Sequence, residues 1–235
     1  MATLSSSTLF RISGLALLAA LPVQIAGWLL HPQAERIQDL LSPLHTPAHL
    51  LMFASWFLVL LGLPGLYAWQ ARRAGFLGLL GFVATIFTTL DVIYLVLYEA
   101  SPAVLLAQNP ATQDVIAPGG PLAHGGGALG GVVAMLGLLA YPLFGLATLR
   151  AGVLPRLVGW LQIACVPVGM LPTLFIPDDS LASLPGPLQP IAALYYLLVI
   201  AYALGGYVLW SMRERPHAHA AAETSRYSAA SATVG

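Results

Sequence analysis

Long apolar stretches separated by short polar or Pro/Gly-rich breaks recur six times along the chain, near residues 11–30, 47–69, 75–98, 122–149, 154–176 and 188–211. Each is longer than a core strand, and a hydrocarbon layer about 30 Å thick is crossed by about 20 helical residues. In lipid, the backbone groups of such a segment are satisfied only when it is helical. The pattern therefore predicts an all-α integral membrane protein with six transmembrane helices in one domain, residues 1–211. Beyond it, residues 212–235 run through Arg213, Glu214, Arg215, His217 and His219 into Ala, Ser and Thr, a composition that predicts a disordered tail. One alternative is open at the start. Arg11 and the apolar run up to Ala26 and Gly27 also fit a cleaved signal peptide, although the length of the run and its Trp28 to Pro32 edge suit a retained span.

Composition agrees: 58% of residues are hydrophobic and 8% charged, so the chain needs lipid as part of its solvent. Net charge is zero and all nine basic residues are Arg, which leaves no global field to attract nucleic acid. Sidedness matters more. Arg11, Arg72, Arg73, Arg150, Arg156, Arg213 and Arg215 fall on one side of the predicted spans. The opposite loops carry Glu35, Asp39, Glu99, Asp114, Asp178 and Asp179, with Arg36 the basic exception. The excess of Arg on one side puts both termini in the cytoplasm, with the lipid bilayer of a cell inner membrane as the principal partner. Trp28, Trp69, Trp160, Trp210 and Tyr98 are expected at the membrane interfaces, and the lone Cys165 as a small buried hydrophobe.

A duplication is visible in the turns. Arg73-Ala74-Gly75-x-Leu77-x-x-Leu80 is matched by Arg150-Ala151-Gly152-x-Leu154-x-x-Leu157, and Leu66-Tyr67 by Leu143-Phe144. With a two-residue shift, Pro47-Ala48-His49 also matches Pro121-Leu122-Ala123-His124. This predicts a parallel repeat of helices 2–3 and 4–5 about an axis along the membrane normal. Those helices would form a four-helix core with His49 facing His124, flanked by helices 1 and 6. The turn Leu154-Pro155-Arg156-x-x-Gly159-Trp160 resembles the inner loop of small uncharacterised bacterial polytopic membrane proteins of similar helix number. That resemblance implies a bacterial inner membrane and brings no chemistry with it.

Candidate chemistry gathers on the outer side. Asp91 is the carboxylate deepest in an apolar run, with Tyr94 and Tyr98 following at helical spacing as a ligand or proton-relay stripe. It serves either that role or only as a hydrogen-bonded helix tie. His31, His45, His49 and His124 border spans on the same side, and imidazole with carboxylate binds a metal ion or haem iron. In His45-x-x-x-His49, Thr46 reads as an N-cap and Pro47 as the first helical residue, so His45 is expected to precede the helix. Span four opens with glycines from Gly125 to Gly131, a face for a packing partner or a second copy, or room for a flat cofactor beside His124. Pro22, Pro64, Pro142, Pro167 and Pro172 lie within spans, and residues 101–121 form the longest outer connection. No Gly-x-Ser-x-Gly, His-Glu-x-x-His or paired-aspartate helix is present, and no enzyme class follows. Three functions stay open: a ligand, metal or haem site in an outer cavity lined by His49, Asp91 and His124; a proton-coupled permease; and an accessory subunit.

Overall fold

The computed structural model describes residues 5–32, 37–117, 120–123, 127–176 and 184–211, with residues 127–134 and 173 by their backbone alone. His124, Gly125, Gly126, Asp178, Asp179 and residues 212–235 lie outside these. The described residues are helical, with no strand among them. The long helices are α1 (Ser6–Leu30), α3 (His45–Ala100), α6 (Gly127–Ala151), α7 (Arg156–Phe175) and α8 (Pro190–Trp210). Three short ones sit between them: α2 (Ile37–Leu40), α4 (Pro102–Gln108) and α5 (Gln113–Ile116). Three helical stretches are long and apolar enough to cross a membrane, namely Ser6–Leu30, the run His45–Gln108, and Pro190–Trp210.

At 56 residues, α3 would extend about 84 Å if straight, far beyond one bilayer. It is a hairpin instead. Gly75 takes φ 60° and ψ −152°, a region open essentially to glycine alone, and reverses the chain. Tyr67 and Phe82, on either side of it, stack with ring centroids 4.4 Å apart. At the far end Thr46 Oγ1 donates to the Ala100 carbonyl at 2.8 Å. Residues 45–74 and 76–100 are thus two antiparallel arms. Gly152, the counterpart of Gly75 in the repeated motif, also has positive φ, at 62°, and starts the turn from α6 to α7. A Cβ at either glycine would meet nothing within 4 Å, so substitution there adds backbone strain alone. Gly75→Ala and Gly152→Ala are each expected to cost about 1–3 kcal/mol in detergent unfolding titrations.

The rods pack in chain order and close on themselves. Ser55 on the first arm donates to Ala20 of α1 at 2.8 Å. Gly81 on the second arm lies against Phe144 of α6, Gly145 of α6 against Gly159 of α7, and Gly169 of α7 against Leu194 of α8. Gly206 and Trp210 of α8 return to Gly14 of α1, and Leu66 of the first arm touches Gly205 of α8. The expected four-helix core with two flanking helices is replaced by this closed bundle, because α8 is apolar throughout and has Gly205 and Gly206 where its neighbours must come close. Neighbours along the chain run antiparallel. The start of α1, the Gly75 and Gly152 turns and the end of α8 therefore share one end, where Arg11, Arg72, Arg73, Arg150 and Arg156 are all exposed. At that end the equivalent alanines of the two motifs, Ala74 and Ala151, meet in one buried cluster with Ala147.

Large apolar side chains face outward at mid-span on many of the rods, such as Leu15, Phe57, Phe87, Leu139 and Val168. A soluble monomer rarely exposes so continuous an apolar surface. The prolines leave the helices unbroken, each of the five lying inside a continuous helix. Trp28 and Tyr98 are buried, unlike the exposed Trp69, Trp160 and Trp210; Trp28 packs on Tyr195, and the Tyr98 hydroxyl donates to the Leu122 carbonyl at 2.9 Å. Within residues 101–117 the connection is largely helical, and α4 carries Ala103 and Ala107 into a cluster with Leu40 and Tyr98, capping that end.

Candidate functional site

The C-terminal end of α1 and both ends of the α3 hairpin meet at one place. His45 is the first residue of α3 rather than a residue before it, since Leu44 is already α-helical with φ −89° and ψ −14°. Thr46 does not cap the helix because its hydroxyl is taken by Ala100 across the hairpin. Pro47 fits in the first turn, where a backbone N–H has no helical acceptor. His45 and His49 therefore stand one turn apart on one face, with ring centroids at 4.1 Å. His31, from the end of α1, adds a third ring 4.9 Å from His49, and Trp28 lies 4.9 Å from His31.

Carbonyl oxygens only accept, which assigns protons to these rings. His49 Nδ1 donates to the His45 carbonyl at 2.9 Å, His45 Nε2 to the Glu99 carbonyl at 3.1 Å, and His31 Nδ1 to the Pro32 carbonyl at 2.8 Å. With Nδ1 of His49 so committed, its Nε2 lies 2.9 Å from Glu99 Oε2. His49 has no exposure and Glu99 has 9%. Two protonation states satisfy that contact: imidazolium with carboxylate, or neutral imidazole accepting from a carboxylic acid. Both require a proton between the two groups. The pair also ties the beginning of the hairpin to its end, 50 positions later in the chain.

Asp91, Tyr94 and Tyr98 do not join the pair. Asp91 is half-buried and lies two turns, about 12 Å along the helix, from Glu99. Tyr94 faces outward at 54% exposure, while Tyr98 points to Leu122. The structure thus brings together His31, His45 and His49 of the expected residues and sets against them Glu99, which the sequence places on the same side as the histidines but does not single out as a site residue. A signal for it existed: Glu99 ends an apolar run as the nearest acid to Asp91, but only hairpin closure sets it against His49. No family model, curated protein or solved structure matches the chain.

His124, one of the four histidines expected to hold a metal, lies outside the described residues. Among the described residues no three His, Cys, Asp or Glu side chains are grouped to hold an ion. The three imidazoles are tilted against one another, with interplanar angles of 37° to 50°. A buried proton-sharing pair beside two further imidazoles suits proton binding and exchange.

Proposed function

We propose that the chain is a polytopic protein of a bacterial inner membrane, crossing it six times with both termini cytoplasmic, and that it works as a proton-coupled permease for a small solute. In this proposal the His49–Glu99 pair is the proton-binding site. The span count is supported by α3 doubling back at Gly75, and the orientation by the arginines that share the end where α1 starts and α8 finishes. The paired Arg-Ala-Gly turns with matching positive φ support a parallel repeat at the level of the turns. A packing partner on the Gly125–Gly131 face rests on its glycine spacing alone.

One observation carries the functional part: a carboxyl group 2.9 Å from an imidazole nitrogen, buried among helices, with the opposite ring nitrogen locked by the backbone. Such a pair is costly in a membrane protein and marks ion or proton pathways. Two other titratable groups surround it, His31 from α1 and His45 from α3. In pH-difference infrared spectra of protein in vesicles, a carboxyl or imidazole band is expected that disappears in Glu99→Gln. Identical difference spectra for wild type and Glu99→Gln would remove the proton-binding site.

A further inference from the structure

Away from the His49–Glu99 pair, the interior of the bundle holds polar side chains that an apolar core has no use for. Gln162 of α7 is completely buried, and neither atom of its amide has a hydrogen-bond partner among the described residues. A Cβ at Gly145 of α6 would lie 2.9 Å from Gln162 Cβ, which sets the glutamine against α6. One turn to either side of Gly145 on that helix are Tyr141 and Thr148, 3% and 1% exposed, whose hydroxyls are likewise without partners. Thr85, on the second arm of α3, is fully buried and has an unpartnered hydroxyl. It lies between Gly81, which meets Phe144, and Thr88, which meets Gly137, and so stands level with Tyr141. Tyr202 of α8, buried with an unpartnered hydroxyl, shares the core cluster with Tyr141 and Cys165.

Four neighbouring rods thus each place an uncharged hydrogen-bonding group in the same part of the bundle. Threonine in a helix ordinarily turns its hydroxyl back to the carbonyl four residues earlier, as Thr88 does to Ala84 at 3.0 Å. Thr85 and Thr148 do not. Buried polar groups are almost always satisfied, by protein or by ordered water, and in lipid the penalty for leaving them bare is severe. A site with room and several polar partners is where buried water resides.

We propose that the space between the second arm of α3, α6, α7 and α8 is a hydrated polar pocket. It takes water, and small neutral solutes that carry both donors and acceptors, as the amide of Gln162 and the hydroxyls around it do both. Charged ligands are disfavoured, since none of these lining groups is ionised near neutral pH. The pocket stands independently of proton binding at His49 and Glu99.

The chain carries its own reporter. Cys165 is its single cysteine, is completely buried, and donates its S–H to the Gln162 carbonyl at 3.1 Å. The S–H stretch falls in a region of the infrared spectrum free of other protein bands. After transfer of the full-length protein in vesicles to D2O, the Cys165 band is expected to move to its S–D position well before the protected helix amides exchange. Gln162→Leu, and separately Thr148→Val, should slow that exchange about tenfold or more by displacing water. Exchange of the thiol no faster than that of the protected amides, or at one rate in wild type and in whichever of the two variants folds, would overturn the pocket. Either result leaves the Glu99-dependent spectrum untouched, so the two proposals fail separately.

Discussion

Glu99→Ala is expected to destabilise the fold by about 3–5 kcal/mol, because removing one member of a buried pair leaves the other without compensation. His49 cannot turn to solvent: it has no exposed surface, and its Nδ1 is held by the His45 carbonyl. The loss should appear in denaturant titrations of the purified protein, through both arms of the hairpin. A double-mutant cycle with His49→Leu separates the pair from its surroundings. Each single variant should be strongly impaired, and His49→Leu/Glu99→Ala should recover much of the loss, since an apolar replacement of both partners removes the unmatched group. Additive losses in the cycle would mean that the 2.9 Å contact between them does not contribute as a pair.

Comparable losses are expected where the rods touch through glycine. A Cβ on Gly81 would lie 2.8 Å from both the backbone nitrogen and Cα of Phe144, and one on Gly14 would lie 2.5 Å from the Gly206 carbonyl oxygen and 2.6 Å from the Trp210 nitrogen. These neighbours are backbone, so the helices themselves must separate. Overpacking of this kind costs about 1–3 kcal/mol for a small increment, and Gly81→Leu or Gly14→Leu, with four added carbons, should exceed that range. Gly14→Leu acts at the seam between α1 and α8 and so tests closure of the bundle directly. The measurement is the denaturant midpoint of each variant beside Gly75→Ala, which adds strain without a clash. Wild-type midpoints for both leucine variants would contradict the packing of α1 on α8 and of α3 on α6.

Much of the architecture was legible in the order of residues. Runs of apolar residues longer than any strand place helices, and the observed bounds Ser6–Leu30, Arg156–Phe175 and Pro190–Trp210 lie within a few residues of those expected. The Arg-Ala-Gly motif marked two turns that do share positive φ at glycine, a property of the local backbone that needs no distant partner. His45 shows the limit of such local inference. Thr46 has the chemistry of an N-cap, but a carbonyl 54 positions away binds its hydroxyl, and the helix begins at His45, two residues before Pro47. Asp91 shows the same limit from the other side: depth in an apolar run singles it out, whereas the less prominent Glu99 reaches the histidines.

The order of residues was enough to make the chain helical and apolar enough to cross a membrane, to place its turns and to gather its arginines at one end, because each depends on composition and short-range geometry. Tertiary structure alone decided that α8 closes the bundle onto α1, that Trp28 and Tyr98 turn inward, and that Glu99 rather than Asp91 meets His49. The physical reason is that an apolar helix looks much the same on every face. Which face is buried, and which polar group finds which, is set by close approach between helices distant in the chain.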